Sequence, residues 1–450
     1  MLRLALCLLA SGGLALPAHS DLLVGPPASG ADFTDLQAAI DAAAPGETLF
    51  LLPGRYEPFT VFDKGLQIFG SSEDQVFIGL EIFSPFSNPA TSIEFIQSDE
   101  SVVISGVTFR SEAGTAGTVV RANNVFGKLI FHDVIFETVE PTGQLSGLVT
   151  TDDCNDVLFD HCRIEGYDPA NHPAAFQPRG GIGLEVVGFS NVALNQCTII
   201  GGSTGQSAFG EISAGAAIEV QSSGARLTLH GGEYRGGSAT FQNVASASAV
   251  PAPAIDMGNQ PATFSGPQGT VIRGGDGYLS GAGVNVPGAP AIEWQTSLLN
   301  LKVIAQGPEI AGGVGGDGVP AEAFVSIEGF GPTQLPEFFP GLRLPSSVGA
   351  PGSFVTVDVE GSPGGLHSAF LSTTTVTPFA LPGFEGSAYL DPSDLLFIGL
   401  VPLGAFGEGQ VGIAVPGDPA FSGVFGWFQS VEFLTQPVPR ISLPTGFRVE

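Results

Sequence analysis

Four acidic residues recur at nearly constant spacing in the middle of the chain. Glu185, Glu219, Asp256 and Glu293 stand in the segments GLEV, AIEV, AIDM and AIEW, at intervals of 34, 37 and 37 residues. In a β-strand the apolar neighbours of each acid point to one face and the acid points to the other. If successive repeats stack in parallel, equivalent carboxylates lie roughly 4.8 Å apart.

Carboxylates at that spacing raise one another's pKa unless a cation or an arginine intervenes. Three interpretations of this acidic ladder stay open. It is a solvated structural face that pairs with Arg163, Arg235 or Arg273, or it binds Ca²⁺ through its first three members. Alternatively, two of the four acids supply the acid and the base for glycoside chemistry.

A second set of equivalent positions contains polar residues. The segments VVISGVTF, LIFHDVIF, VLFDHCRI and VALNQCTI each have two short apolar runs around a polar bend. Aligning them, with the repeat that follows, gives a polar column: Ser105, His132, Asp160, Asn195 and His230. The column contains either a His/Asp acid–base pair or a ladder of hydrogen bonds that satisfies the turns.

Cysteines occupy inward positions of two of these segments. Val107, Val134, Cys162 and Cys197 fall in one column, so the two cysteines lie in adjacent repeats. They form either a stack of buried thiols or a disulfide, which that separation permits. Cys154 is expected to be free.

Two weaker features complete the chemical inventory. GGVGGDGVP (312–320) fits one calcium-binding nonapeptide with Asp317 as its acid, although such sites are normally built between tandem copies. Trp294, Tyr234 and Tyr278 can either stack on sugar rings or pack within strands.

The repeats themselves predict the fold. Units of this length cannot bury an apolar face alone, and stacking them pairs each strand with its equivalent in the next repeat. The sequence therefore predicts an all-β protein with a parallel β-solenoid of about eight coils over residues 32–328. An amphipathic segment, DFTDLQAAID, predicts a short helix with Thr34 as N-cap that covers the first coil.

This N-terminal segment also resembles a known family. DLQAAIDAAAPGETLFLLPGRYEPFTV followed by LQIFG is similar to the capping helix and first coil of pectate-lyase-like right-handed parallel β-helix proteins. The resemblance is specific over residues 32–70 and weakens to a repeat pattern over about 71–328. It implies a fold rather than a chemistry, because the superfamily contains lyases, hydrolases and proteins without known activity.

The catalytic phrases of the resembled enzymes do not match. Asp152-Asp153 is followed by neither the Gly-His-Gly nor the Arg-x-Lys of polygalacturonase-like enzymes, and QPRGG (177–181) is not the Arg-rich phrase of pectate lyases. No catalytic residue is carried over from the family.

The last part of the chain has a different pattern. Period-2 stretches such as SFVTVDVEG alternate with Pro/Gly turns. About 100 residues resemble a C-terminal β-sandwich module of exported bacterial proteins. We therefore predict a signal peptide at 1–20, a right-handed parallel β-helix at 21–328 and a small C-terminal β-sandwich at 329–450.

Composition and the N-terminus bear on function. Arg3, the apolar run 4–16 and Ala18-His19-Ser20 indicate a signal peptide, and no later stretch is of membrane-spanning length. A net charge of −29, from 44 acidic and 15 basic residues, disfavours nucleic acid as a partner. We predict a secreted or cell-surface scaffold that contacts polysaccharide without efficient catalysis. The alternative is a polysaccharide lyase or glycoside hydrolase on acidic glycans. The oligomeric state stays open.

Overall fold

The structure is a computed structural model dominated by long parallel β-sheets. It describes residues 21–79, 91–111, 118–138, 147–167, 180–204, 211–222, 224–239, 248–258, 262–265, 270–279, 285–294, 302–304, 309–326, 333–335, 341–344, 348–373, 375–384, 387–405, 407–418, 424–433 and 438–449. The predicted signal peptide lies outside these residues.

The first part of the chain, residues 22–335, forms the parallel stack. One of its sheets has nine strands, each paired in parallel with its equivalent in the neighbouring repeat. These strands are β4 (Thr60–Phe62), β7 (Thr91–Glu94), β9 (Val120–Asn123), β11 (Val149–Asp152), β14 (Leu184–Val187), β18 (Ile218–Val220), β22 (Ile255–Asp256), β25 (Ile292–Trp294) and β28 (Phe324–Ser326). The described sheet therefore records nine repeats, against the eight or so predicted.

The second sheet of the stack has 18 strands in two parallel rows, which share the two long strands Ser101–Ser111 and Lys128–Thr138. Its strands are β1 (Leu22–Val24), β2 (Thr48–Leu51), β3 (Gly54–Tyr56), β5 (Leu66–Gly70), β6 (Val76–Ile78), β8 (Ser101–Ser111), β10 (Lys128–Thr138), β12 (Asp156–Asp160), β13 (Arg163–Glu165), β15 (Asn191–Asn195), β16 (Thr198–Ile200), β19 (Arg226–His230), β20 (Glu233–Arg235), β23 (Ala262–Ser265), β24 (Val271–Arg273), β26 (Lys302–Ile304), β27 (Glu309–Ala311) and β29 (Thr333–Leu335). A further parallel pair joins β17 (Glu211–Ser213) to β21 (Ser248–Val250).

Alternation of apolar and polar residues along the strands explains which side chains form the core of the stack. In β18, Ile218 and Val220 are buried and Glu219 between them is not, as the period-2 pattern predicts. The inward residues of all three rows form one apolar cluster that runs from Val24 to Trp294. This arrangement is consistent with a parallel β-helix.

A backbone geometry that recurs from repeat to repeat bends the chain between the two rows of the 18-stranded sheet. The residue after each member of the polar column has a positive φ: Gly106 (65°), Asp133 (49°), His161 (55°), Gln196 (52°) and Gly231 (69°). This left-handed conformation costs little for glycine, and Asp and His adopt it more often than most other residues do. The bend therefore recurs at the same place in consecutive repeats and keeps equivalent side chains aligned.

The described residues contain one helix, α1 (Leu36–Ala42). Asp35 rather than Thr34 is its N-cap, because the Asp35 side chain accepts a hydrogen bond from the Ala38 N–H at 2.8 Å. Leu36, Ala39 and Ile40 are buried in the core of the stack. One edge of β2 pairs in parallel with β1.

The C-terminal region, residues 341–449, is mainly antiparallel and fits a sandwich. A three-stranded sheet contains β30 (Gly341–Arg343), β32 (Phe354–Glu360) and β37 (Glu408–Ala414). A six-stranded sheet contains β31 (Val348–Gly349), β33 (Leu366–Ser372), β36 (Leu396–Pro402), β38 (Phe425–Phe433), β39 (Arg440–Ile441) and β40 (Thr445–Val449). A small pair joins β34 (Thr375–Ala380) to β35 (Ser387–Leu390). Val357 and Val359 of the first sheet share an apolar cluster with Phe428 and Phe447 of the second.

The C-terminal region packs against the side of the parallel stack. Val103, Ile130, Leu158 and Ala193, which we call the apolar stripe, are in register on the outer face of β8, β10, β12 and β15. They share a cluster with Leu390, Phe425 and Trp427. Phe425 also stacks on Phe69 with ring centroids 4.8 Å apart. Among the described residues, the last strand of the parallel stack ends at Leu335 and the first strand of the C-terminal region begins at Gly341; a domain division at 328/329 stays a prediction.

Candidate functional site

The acidic ladder has the register predicted from the repeats. Glu185 pairs with Glu219, Glu219 with Asp256, and Asp256 with Glu293 across β14, β18, β22 and β25. All four residues are half-buried, between inward apolar neighbours. The same column continues on the other side with Thr150 and Arg121.

Hydrogen bonds hold part of the ladder in place. The Gln221 amide donates to Glu185 Oε1 at 2.7 Å and to Glu219 Oε1 at 2.9 Å, so one side chain bridges two carboxylates. The other Glu185 oxygen accepts from the Gly147 N–H and the Thr150 hydroxyl, both at 3.2 Å. The Gly258 N–H donates to Asp256 Oδ1 at 3.2 Å.

The arginines that we expected to neutralise the ladder bind elsewhere. Arg163, Arg235 and Arg273 lie in the second row of the 18-stranded sheet. They form ion pairs with Glu165, Glu233 and Asp276 respectively. The interpretation that they pair with the ladder is wrong, because each has a nearer acid. Glu165 and Glu233 lie two residues from Arg163 and Arg235 on the same strand face, and Asp276 follows Arg273 by three residues.

Burial and neighbouring negative charges raise the pKa values of three ladder residues. Burial raises the pKa of Glu219, and the carboxylates of Asp256 and Glu185 add to that increase. Burial also raises the pKa of Asp256, and burial together with Asp256 raises that of Glu293. These groups retain protons to higher pH than free carboxylic acids do.

Replacing Glu219 with glutamine should therefore change how stability depends on pH. A carboxyl whose folded pKa is raised destabilises the folded state as pH rises from its unfolded value, about 4.3, through the folded value. We expect Glu219→Gln to raise the melting temperature at pH 7 and to lose this advantage below about pH 4. Thermal denaturation at both pH values checks this, with Glu233→Gln as a matched outward acid. Equal effects of the two substitutions at pH 7 would contradict it.

The polar column is also present, but it is buried. His132 pairs in register with Asp160, and Asp160 with Asn195. Asp160 accepts four hydrogen bonds: from His132 Nδ1 at 2.8 Å, His161 Nδ1 at 3.0 Å, Asn195 Nδ2 at 2.7 Å and the Gly446 N–H at 3.0 Å. His132 and Asp160 are both fully buried. The column therefore forms a hydrogen-bonded ladder that the C-terminal region completes.

Ionisation within this cluster follows from its contacts. Burial opposes ionisation of Asp160, but the charges and hydrogen bonds of His161 and His132 outweigh it and hold the Asp160 pKa well below its usual range. Burial lowers the pKa of His161, but the Asp160 carboxylate more than reverses this and raises it to about 9. The rings of Phe425 and Trp427 lie against His132, with centroids 5.3 and 5.6 Å away.

Two further ionisable residues are buried near the same part of the C-terminal region. Lys128 and Asp156 are in register on β10 and β12 and are almost completely buried. The Lys128 ammonium lies 4.5 Å from the centre of the Tyr389 ring, a cation–π contact. Burial lowers the pKa of Lys128 and raises that of Asp156, while the charge of each opposes the shift of the other.

The remaining predicted positions have structural environments. Cys154, Cys162 and Cys197 are buried free thiols, and the disulfide considered for the last two is not formed. Asp317 accepts from Asn285 Nδ2 at 2.7 Å and from the Val319 N–H at 3.0 Å within its own turn. Trp294 and Tyr234 lie in the core of the stack, so their rings do not face an outer ligand.

Sequence reasoning missed four residues that define the buried cluster. Asp133 and His161 occupy the left-handed bend next to the polar column, and Gly446 and Trp427 arrive from the C-terminal region. A signal for the first two exists, because HD (132–133) and DH (160–161) are equivalent dipeptides in reversed order.

Comparisons with known proteins give no family for this chain: no family model matches it and the search of curated proteins returns no match. The resemblance to pectate-lyase-like proteins thus remains an interpretation of the residues. Within the described part of the chain, no helix combines the length and apolarity needed to span a bilayer.

Proposed function

We propose that this protein is an exported, acidic scaffold that acts at the cell surface or outside the cell and contacts polysaccharide weakly, without efficient catalysis. The proposal includes a right-handed parallel β-helix of the pectate-lyase-like type, with α1 as its cap and the C-terminal region as a sandwich module. The long parallel sheets and the buried face of α1 support this architecture.

The burial of the His132–Asp160 pair is the observation that carries the non-catalytic proposal. A general acid or base must come within hydrogen-bonding reach of its substrate. Here Asp160 already accepts four hydrogen bonds, and His132 lies beneath Phe425 and Trp427. The pair joins two parts of the molecule, which is a structural task.

The acidic ladder supports a second candidate, a lyase or glycoside hydrolase. Three of its carboxyl groups, those of Glu219, Asp256 and Glu293, have raised pKa values, as a general acid requires. Parallel strands separate equivalent residues by roughly 4.8 Å, close to the carboxyl separation of about 5–5.5 Å in retaining glycosidases. The ladder is also the surface on which weak glycan or cation binding would occur.

An activity assay separates these candidates. The purified protein is incubated with pectate, alginate and other uronic-acid polymers, with and without Ca²⁺, while unsaturated products and reducing ends are followed. We expect no sustained turnover, and weak retention on an immobilised acidic glycan that Glu219→Gln alters. Glu233→Gln is the matched control, because it removes the same charge from a different outer face. Robust turnover that Glu219→Gln abolishes and Glu233→Gln preserves would replace the scaffold with the enzyme.

A further inference from the structure

We infer that His132, Asp133 and His161 form a binding site for one divalent transition-metal ion, with zinc as the best match. One nitrogen from each histidine and one carboxylate oxygen lie within 4.8 Å of one another. In the described part of the chain, this is the one group of three or more His, Cys, Asp or Glu side chains with that convergence. The inference is independent of the proposed function.

The hydrogen bonds of Asp160 decide which nitrogens remain for a metal. Both His132 and His161 direct Nδ1 at the Asp160 carboxylate, so Nε2 is the nitrogen of each ring that is left to bind a metal. Both Nε2 atoms are buried and neither has a hydrogen-bond partner. A buried, unpartnered nitrogen is costly, and a bound metal ion would remove that cost.

Asp160 then occupies the position of an outer-shell partner. Histidines that ligate metals almost always donate their other ring N–H to a carboxylate or a carbonyl, which fixes the tautomer and the ring orientation. Here one carboxylate orients two histidines, and its remaining contacts to Asn195 and Gly446 hold it in place. The ligand geometry is thus fixed by both the stack and the C-terminal region.

The distance between two of the candidate ligand atoms suits a small tetrahedral ion. Ligand atoms about 2.0–2.2 Å from a tetrahedral zinc are roughly 3.3–3.6 Å apart. His132 Nε2 and Asp133 Oδ2 are 3.3 Å apart. The Asp133 and His161 side chains keep 21% and 17% exposure, so an ion can enter from that side and retain a water or an external ligand.

Ligand type and charge select the class of ion. Two imidazole nitrogens and one carboxylate suit zinc and its first-row neighbours, whereas Ca²⁺ and Mg²⁺ require oxygen ligands. The neighbouring Asp133 and Asp160 carboxylates add negative charge that favours a cation at this position.

The test uses the full-length protein after dialysis against a chelator. Isothermal titration with Zn²⁺ should show one equivalent per chain, and Co²⁺ should give the visible absorption of a four- or five-coordinate site. Asp133→Asn and His161→Gln should each weaken binding by at least ~10-fold. Asp153→Asn is the matched control, since Asp153 is also a turn aspartate with positive φ, and it should bind as the wild type does.

Melting temperature provides a second readout, because a metal that binds the folded state stabilises it by mass action. Zinc should raise the melting temperature of the wild type and of Asp153→Asn, but not that of Asp133→Asn. If His161→Gln misfolds, the partly exposed Asp133→Asn variant decides the question. Absence of stoichiometric binding by the wild type, or equal affinity of wild type and Asp133→Asn, would overturn the site.

Discussion

Replacing Asp160 with alanine should lower the free energy of unfolding by about 3–5 kcal/mol, the range for removing one partner from a buried ionic cluster. The loss would leave two histidine nitrogens, the Asn195 amide and the Gly446 N–H without their acceptor. Since Gly446 belongs to β40, attachment of the C-terminal region should weaken as well. Urea denaturation followed by circular dichroism and tryptophan fluorescence measures both effects.

Glu165→Ala is the matched control for this experiment. Glu165 lies on the strand that follows Asp160 and pairs with Arg163 at the surface, where such pairs contribute less than about 1 kcal/mol. In acid, the wild type should lose the Asp160 contribution as pH falls below about 4, because the pKa of Asp160 is depressed in the folded state. A difference below 1 kcal/mol between Asp160→Ala and Glu165→Ala would show that the buried cluster does not stabilise the fold.

Trp427→Ala should cost about 3–5 kcal/mol, as expected for truncating a buried tryptophan. The ring shares a cluster with Ile130 and Leu158 of the apolar stripe and stacks on Phe425, with centroids 5.9 Å apart. Its removal opens a cavity where the two parts of the molecule meet. Hydrogen exchange of the Gly446 N–H, which is bonded to Asp160, should accelerate, whereas exchange in β9 and β11 should not.

Phe354→Ala controls for loss of an aromatic ring in the same region. Phe354 is 65% exposed, so its truncation should change stability by no more than about 0.5 kcal/mol. Unchanged exchange at Gly446 in Trp427→Ala, with stability equal to that of Phe354→Ala, would mean that the tryptophan does not hold the C-terminal region against the stack.

The repeated part of the fold was predictable because its signal is local and periodic. Val107 and Val134 pair as the alignment of the segments requires, and the four acids of the ladder are in register. Each alignment rests on alternation within a short strand, which fixes the face, and on repetition, which fixes the register. The N-cap was misplaced by one residue, because Thr34 and Asp35 are both good capping residues.

Packing of the C-terminal region on the stack was one of three roles left open, and the face to which it docks was not predicted, because the signal lies across several repeats. Strand alternation places Val103, Ile130 and Leu158 on the outside of the stack, where solvent-facing positions are usually polar. Each of these residues is ordinary in a β-strand, and together they indicate a covered surface. The same reasoning applies to Asp133 and His161: neither is unusual alone, and their left-handed backbone brings them beside the polar column.

The long separation between Asp160 and its partner Gly446 affects the order in which the molecule can assemble. The two residues are 286 positions apart, and Arg448, which donates to the Gly70 carbonyl, is 378 positions from it. At about 5–20 residues per second, a ribosome needs roughly 15–60 s to travel from Asp160 to Gly446. During that interval the apolar stripe has no cover, and the Asp160 carboxylate lacks one of its donors. Docking is thus a late, non-local step with a high entropic barrier. Incomplete chains that end before β38 and β40 would leave the apolar stripe exposed, and other apolar surfaces would adhere to it.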